Sequence, residues 1–244
     1  MERKTAYSTL AEWFEYLNDD CDYEQWSQYL IKTLSAFSGL DCGLDIGCGG
    51  GYFTRALRKV GYEMSGMDVS AEMLDKAQAT ALKEGLRGEY ILGDVAKDKI
   101  VRKYAFVTAI NDCFNYVENG KLQKAFKNVY GALKKGGVFL FDISSPKKYA
   151  EKFRDAVNMD DRDDVTYLSF ATTDGKQARL DVTLFVKKED GNYRRMDETH
   201  VQYVHSEEEI LAALTAAGFS VLKVEGHMGE DKAVSDRLVF LAQK

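Results

Sequence analysis

The segment Gly47-Cys48-Gly49-Gly50-Gly51 constrains the fold of this chain more than any other feature. It follows a short apolar run at residues 43–46 and precedes a helical pattern of Phe53, Leu57 and Val60. Four glycines in five positions lose much conformational entropy on folding, and an ordinary turn does not require so many. Between a strand and a helix, such glycines let the backbone approach a ligand closely beside a helix N-terminus. We therefore predict a ligand-binding loop; the alternative is a tight turn with nothing bound.

Short apolar runs alternate with helical patterns from residue 43 to residue 143. The runs predict strands at 43–46, 62–67, 89–92, 104–110 and 138–143, with helices between them. Ser70 is a candidate helix cap, and the helix that contains Leu122 is expected to end at Gly136-Gly137. This alternation predicts a parallel sheet with helices on both faces.

After Pro146 the pattern changes to strand-like runs at 166–170, 179–186 and 193–204. Asp174-Gly175 and Asp190-Gly191 join these runs, and Asp-Gly is a strong hairpin signal because both central residues of a tight turn favour positive φ. We predict an inserted antiparallel meander. Ser206 with Glu209 forms a capping box for a later helix, and the runs 221–224 and 237–242 are expected to close the main sheet as a reversed last hairpin.

These patterns predict one domain over residues 1–244. A helical cap is expected at 1–40, with Leu10, Trp13, Phe14 and Leu17 on one face of its first helix. The α/β core is expected at 41–146 and 206–244, and the insert at 147–205 would act as a lid.

Composition limits the partners of the chain. The net charge is −6 and no dense Lys/Arg cluster occurs, so we expect no nucleic-acid partner, although scattered lysines could hold a tRNA. The four cysteines form no C-x-x-C pair, which favours free thiols in a reducing cytosol and no metal site. The polar start at Met1–Lys4 and the absence of an apolar run of about 18 residues indicate no signal peptide or membrane span. We expect a cytoplasmic monomer or homodimer.

The spacing within the glycine segment identifies the ligand class. A dinucleotide fingerprint would need a glycine at Tyr52. Instead the segment reads Asp45-x-Gly47-x-Gly49-x-Gly51, which resembles motif I of class I S-adenosylmethionine-dependent methyltransferases. Three further segments match motifs of that family in the expected order: Gly66-Met67-Asp68-Val69-Ser70, Gly93-Asp94-Val95 and Lys135-Gly136-Gly137-Val138-Phe139.

The resemblance implies a Rossmann-like, doubly wound and mostly parallel seven-stranded sheet, with the N-terminal helices and the meander over its carboxyl edge. It also implies S-adenosylmethionine as cofactor. By the family's pattern, Asp45 organises the glycine loop and the amino-acid end of the cofactor, Asp68 bridges the two ribose hydroxyls, and Asp94 faces the adenine amine. A carboxylate suits a vicinal diol because it accepts from both hydroxyls. The implied cofactor site consists of Tyr7, Asp45, Gly47, Gly49, Gly51, Asp68, Val69, Asp94, Val95 and Asn111.

More narrowly, the chain resembles a group of bacterial small-molecule methyltransferases. The similar segments are Ala6-Tyr7-Ser8-Thr9-Leu10-Ala11-Glu12, Asp22-Tyr23-Glu24-Gln25-Trp26, Phe141-Asp142-Ile143-Ser144-Ser145-Pro146 and Glu198-Thr199-His200. Tyr7 is assigned to the cofactor because relatives place a tyrosine there. The chain departs from the group at Phe14-Glu15, where relatives often have a Tyr-Asp pair.

Substrate contacts are expected after the fourth strand and on the meander. Asp112, Asn115 and Tyr116 either face the substrate or cap the following helix. The segment from Asn111 resembles the Asn/Asp-Pro-Pro-Tyr/Phe motif of DNA and RNA amino-methyltransferases but lacks both prolines, so no base substrate is inferred.

His200 and Glu198 lie two residues apart on a predicted strand, so both side chains share one face. They form a candidate general base, with Asp112 as another candidate. The alternative for His200 is a hydrogen-bonded histidine on the wet face of the meander. The expected reaction is methyl transfer to a nitrogen or oxygen of a small molecule, leaving S-adenosylhomocysteine. The alternatives are a non-catalytic regulator that binds the same cofactor and a nicotinamide-dependent oxidoreductase, against which Tyr52 counts.

Overall fold

The computed structural model of this chain describes Tyr7 and residues 10–19 and 21–244. The expectations drawn from Met1–Lys4, and the sequence matches at Ala6, Ser8 and Thr9, lie outside these residues.

A seven-stranded sheet forms the centre of the molecule. Its strands, in chain order, are β1 (Cys42–Ile46), β2 (Glu63–Asp68), β3 (Tyr90–Leu92), β4 (Tyr104–Ala109), β5 (Leu133–Ser144), and the two last strands of the chain, Ser220–Gly226 and Arg237–Gln243, here called β10 and β11. The spatial order is β10-β11-β5-β4-β1-β2-β3. All neighbours pair in parallel except β11, which is antiparallel to both β10 and β5. The predicted sheet is confirmed, with the correction that β11 alone, and not the whole last hairpin, is reversed.

Helices cover both faces of this sheet. They are α2 (Tyr23–Ser35), α3 (Tyr52–Lys59), α4 (Ala71–Lys83), α5 (Leu122–Ala132) and, after the meander, α7 (Glu207–Ala217). Trp26 of α2 packs with Val138 and Leu140 of β5 in one apolar cluster. Phe126 of α5 packs with the alternate residues of β5 in a second cluster. Because successive side chains of a strand point to opposite faces, β5 is buried on both sides, as a doubly wound sheet requires.

Local signals set most of the helix ends. Ser70 accepts a hydrogen bond from the Met73 N–H, and Ser206 with Glu209 forms the predicted capping box. The predicted end of α5 at Gly136-Gly137 is wrong. The helix ends at Ala132 and β5 begins at once, since Leu133 is extended and pairs with Tyr104. The lysines and glycines that follow belong to the exposed start of the strand. They contain no apolar residues, so the hydrophobic pattern does not indicate a strand there.

The predicted first helix is largely absent. Only α1 (Phe14–Leu17) is helical, and residues 10–13 form turns. The N–H of Leu10 donates to the Glu198 carboxylate, so a contact from a distant strand, not helix propensity, fixes the start of this segment.

The insert is an antiparallel sheet of four strands, not three. After α6 (Pro146–Lys152) come β6 (Ala156–Asp161), β7 (Val165–Thr173), β8 (Gln177–Lys187) and β9 (Tyr193–Tyr203). The sequence patterns did not predict β6, and its apolar residues Val157 and Met159 are exposed. At the Asp174-Gly175 turn only the glycine has positive φ, so this is not the tight two-residue turn that the dipeptide predicted.

The N-terminal segment packs against the meander. Leu10 forms an apolar cluster with Val165, Val182 and Leu184. In the part of the chain that the structure describes, no helix has the length and apolar character needed to cross a membrane.

Candidate active site

The glycine loop is held against β2 by backbone hydrogen bonds to the Met67 carbonyl and by the carboxylate of Asp68. Asp68, the last residue of β2, accepts hydrogen bonds from the N–H groups of Gly49 (2.8 Å) and Ser70 (2.9 Å). Burial raises the pKa of Asp68, and these two N–H groups partly offset that shift. The same carboxylate therefore positions the loop and presents its remaining lone pairs to the adjoining space.

That space is a cleft of about 350 Å³ at the carboxyl edge of the sheet, which we call the loop cleft. It brings together most of the residues predicted to hold a cofactor: Tyr7, Gly47, Gly49, Asp68, Val69, Asp94, Val95 and Asn111. The Asp94 carboxylate accepts from the Ala96 N–H and lies 2.7 Å from Lys97 Nζ. Adjacent strand ends thus present to one cleft the two carboxylates that the family resemblance singled out.

Two predicted cofactor residues do not line this cleft. The Asp45 carboxylate lies behind the loop and accepts from the hydroxyls of Thr54 (2.7 Å) and Thr108 (2.9 Å). Gly51 has φ of +80°, and a Cβ there would lie 2.9 Å from the Tyr90 hydroxyl oxygen. Neither residue lines the cleft, and the cofactor contact assigned to each stays a prediction.

A second cavity of about 450 Å³ lies between the N-terminal segment and the meander, and we call it the meander cavity. Leu180, Val182 and His200 line it from the meander. Tyr7, Phe14 and Tyr116 line both cavities, so these three aromatic rings form a shared wall.

Polar groups are linked along this wall. The Tyr116 hydroxyl lies 2.7 Å from the Tyr7 hydroxyl and 3.2 Å from His200 Nδ1. His200 is buried and its ring centroid lies 4.6 Å from that of Tyr7. His200 is therefore not a solvated histidine on the wet face of the meander.

Glu198 lies beside His200, but its carboxylate bonds to the N-terminal segment. Its Oε1 is 3.2 Å from His200 Nε2, without the alignment of a hydrogen bond. The carboxylate accepts from the backbone N–H groups of Tyr7 and Leu10, and it lines neither cavity. The pair shares one face, as predicted, but only His200 reaches the cavity.

Asp112 is also held away from both cavities. Its carboxylate accepts from Gln202 (2.9 Å) and the Ser144 hydroxyl (3.1 Å) and lies 3.4 Å from Arg237. Burial alone would raise the pKa of Asp112, but the charges of Arg237 and Lys148 and these hydrogen bonds hold it below its usual value. An acid that is buried, paired and readily ionised is a poor general base.

Two residues of this network were missed by sequence reasoning. Asp142 of β5 is fully buried and accepts from the N–H groups of Asn111 (2.7 Å) and Asp112 (3.2 Å). The Arg237 guanidinium, at the start of β11, donates to Asp142. The sequence does contain an acid near the end of the predicted fifth strand and an arginine at the start of the predicted last strand. An antiparallel pairing of these two strands would have brought the two side chains together.

Asn115 does not reach the substrate side either. Its amide donates to the carbonyl of Tyr203 (2.9 Å) and accepts from the N–H of Ser144 (2.8 Å). It is fully buried and joins β5 to β9. Neither predicted role, substrate contact or helix cap, fits, whereas its neighbour Tyr116 lies on the shared wall.

Comparison with known proteins places this geometry in a family. A methyltransferase-domain family matches residues 44–137. YqeM of Bacillus subtilis (strain 168), a proposed methyltransferase, is 32% identical over 251 residues, which cover 98% of this chain and 97% of the relative. The chain is a class I S-adenosylmethionine-dependent methyltransferase. These relatives favour the methyl donor over the nicotinamide alternative.

Solved structures agree with this assignment. A crystal structure of an S-adenosylmethionine-dependent methyltransferase from Clostridium acetobutylicum ATCC 824 has a TM-score of 0.88 at 27% identity, with 98% of this chain and 99% of that chain covered. S-adenosylmethionine-bound CalS10, an amino pentose methyltransferase from Micromonospora echinaspora, has the same fold, with a TM-score of 0.76 at 19% identity and 99% of both chains covered.

The walls of the loop cleft fit S-adenosylmethionine, the cofactor of this methyltransferase. Asp68 and Asp94 retain lone pairs suited to hydroxyl and amine donors, and Val69 and Val95 supply apolar surface beside them. Such a wall, apolar with a few convergent polar groups, is typical of a nucleoside site.

The buried environment of Asp45 predicts a pH-dependent stability. Burial raises the pKa of Asp45 to about 6, from an ordinary value of 3.8. The folded protein therefore binds this proton more tightly than the unfolded chain, and the stabilisation present below about pH 4 is lost as the pH rises through about 6. The difference in unfolding free energy between Asp45→Asn and wild type should shift in favour of the variant by on the order of 2–3 kcal/mol between pH 4 and pH 7. Urea titrations at several pH values measure this difference; a constant difference would contradict the assignment.

Proposed function

We propose that this methyltransferase transfers a methyl group from S-adenosylmethionine in the loop cleft to a nitrogen or oxygen of a small molecule in the meander cavity. The observation that carries the proposal is the wall of Tyr7, Phe14 and Tyr116 that both cavities share. Because the same three side chains line both cavities, the cavities adjoin. A direct displacement requires such closeness between a donor in one cavity and an acceptor in the other.

The cofactor roles follow from the positions of the side chains in the loop cleft. We assign the ribose hydroxyls to Asp68 and the adenine amine to Asp94, since each carboxylate lies at a strand end and lines the cleft. Val69 and Val95 contact the adenosine, and the backbone of Asn111 lies near the reacting end. The left-handed backbone of Asn111 is fixed by its N–H bond to Asp142.

S-adenosylmethionine supplies a methyl group that its sulfonium centre already activates, so the chain mainly contributes positioning and exclusion of water. Where the nucleophile carries a proton, we assign its removal to Tyr116 and His200. The Tyr116 oxygen takes the proton while its own O–H proton passes to His200 Nδ1, 3.2 Å away. Burial raises the pKa of Tyr116 well above its ordinary value, so its hydroxyl is protonated and able to relay. Glu198, beside Nε2, stabilises the resulting imidazolium.

The lining of the meander cavity suggests the shape of the acceptor. Leu180, Val182 and Tyr167 form an apolar side, while Asn158 and Asp160 provide polar groups from β6. An acceptor with an apolar face and several hydroxyl or amine groups fits this arrangement. The fold shared with the amino pentose methyltransferase CalS10 is compatible with such an acceptor.

Incubation with methyl-labelled S-adenosylmethionine and a bacterial small-molecule extract tests this function. We expect the label in a low-molecular-weight product, heavier than its precursor by one methyl group in the mass spectrum. Label recovered only on protein or nucleic acid, or no transfer at all from a cofactor that binds, would overturn the proposal.

The ribose assignment predicts a specific loss in Asp68→Ala. Hydrogen bonds to a charged group contribute about 1.5–3 kcal/mol each, so affinity for S-adenosylhomocysteine should fall at least about tenfold in calorimetry. Asp75→Ala, an exposed change on α4, is the control and should bind normally.

Because Asp68 also holds the loop, a second comparison separates the two roles. Wild type should prefer adenosine to 2′-deoxyadenosine, and Asp68→Ala should lose that preference. Equal weakening of both ligands, with the preference retained, would assign Asp68 to loop structure alone.

The proton relay predicts that Tyr116→Phe lowers kcat by about 10²-fold or more with a proton-bearing acceptor. Affinity for S-adenosylhomocysteine should stay within about twofold, since the ring remains in the wall. Tyr193→Phe, an exposed change on β9, is the matched control. His200→Ala should lower kcat to a similar extent, because the relay then lacks its final proton acceptor. An unchanged kcat in both variants, measured by initial rates, would show that positioning alone suffices.

A further inference from the structure

Among the residues that the structure describes, none donates a hydrogen bond to one carboxylate oxygen of Glu15. The side chain extends from α1 into the loop cleft. Its Oε1 is closed off from solvent and accepts no hydrogen bond from the residues that the structure describes. A buried oxygen of this kind is costly unless a donor reaches it.

The glycine loop leaves room for this carboxylate. A Cβ at Gly50 would lie 2.5 Å from Glu15 Oε1, so the close approach depends on a glycine there. Glu15 is thus placed directly over the loop, between α1 and the N-terminus of α3.

The neighbouring arginine does not satisfy Oε1. Arg55 NH2 is 3.8 Å from Glu15 Oε1, beyond hydrogen-bond distance. The Arg55 guanidinium instead donates to the carbonyl of Gly50, and its Nε lies 3.2 Å from Glu84. It contributes positive charge behind Glu15 but leaves the cleft side of the carboxylate without a donor.

The other carboxylates near the loop are committed to different partners. Asp68 accepts from two backbone N–H groups, and Asp94 accepts from one and pairs with Lys97. Asp45, to which the family pattern gives the amino-acid end of the cofactor, faces two threonine hydroxyls behind the loop. In the described part of the chain, Glu15 is the carboxylate of the cleft with a buried oxygen still to be satisfied.

We propose that Glu15 binds the α-ammonium group of S-adenosylmethionine and so positions the amino-acid end of the cofactor. The inference rests on the placement of the cofactor in the loop cleft proposed above. The cofactor has two cationic centres. The sulfonium has no N–H to donate, whereas an ammonium has three N–H donors and fits an unsatisfied carboxylate oxygen.

The segment that contains Glu15 is held from two sides. The Arg162 guanidinium donates to the carbonyl of Tyr16 and to both carboxylate oxygens of Asp19 (3.0 Å each), and the Glu198 carboxylate accepts from the N–H of Leu10. These contacts hold the segment of Glu15 on both sides, and a side chain on a segment held in this way loses less conformational freedom when it binds a ligand.

Calorimetry with three ligands tests this role in Glu15→Gln, which keeps the size of the side chain and removes its charge. S-adenosylmethionine and S-adenosylhomocysteine both carry the ammonium, and 5′-methylthioadenosine lacks the amino-acid part. We expect the first two to bind on the order of tenfold more weakly than to wild type. Binding of 5′-methylthioadenosine should stay within about twofold, which also reports that the cleft remains folded. Glu12→Gln, an exposed change on the same segment, should bind all three as wild type does.

Three results would overturn the inference. Weakening confined to S-adenosylmethionine would assign Glu15 to the sulfonium charge. An equal loss of affinity for all three ligands would show that Glu15 only supports the loop. Unchanged affinity for all three would show that Glu15 does not contact the cofactor. A wrong cofactor placement would appear separately, as normal affinity for S-adenosylhomocysteine in Asp68→Ala.

Discussion

The burial of carboxylates at the carboxyl edge of the central sheet is the constraint on which the rest of the site depends. Asp45, Asp68 and Asp142 lie at the ends of strands and are all buried, with Asp112 just beyond another strand. A buried carboxylate is stable only when donors replace its lost water. The donors here are threonine and serine hydroxyls, a glutamine amide, backbone N–H groups and one guanidinium. Each loop of the site takes its shape by supplying them.

The reversed direction of β11 brings a positive charge to two of these carboxylates. An antiparallel strand begins at the edge where its parallel neighbours end. Arg237, the first residue of β11, therefore pairs in register with Ser144 at the end of β5 and brings its guanidinium to Asp142 and Asp112. A parallel last strand would place its first residue at the opposite edge. The two acids would then lose the guanidinium that offsets their charge.

The parts of the site that sequence predicts are those set by short-range spacing. The glycine loop, the acids Asp68 and Asp94, and the helix caps depend on residues within a few positions of one another. Asp45 was placed on the right strand, but its orientation depends on hydroxyls from α3 and β4. Asn115 bonds to the carbonyl of Tyr203, 88 positions away, and Glu198 bonds to the N–H of Leu10, 188 positions away. No local pattern reports such partners.

The wall between the two cavities depends on those distant contacts. Tyr7 and Phe14 come from the N-terminal segment, and Tyr116 comes from the loop after β4. Glu198 fixes the first of these by accepting the N–H of Tyr7, while His200, two residues on, contacts Tyr116. One strand of the meander, β9, thus both holds the N-terminal segment and contacts Tyr116. Since residues of that segment line both cavities, the shared wall forms only when all three parts of the chain are in place.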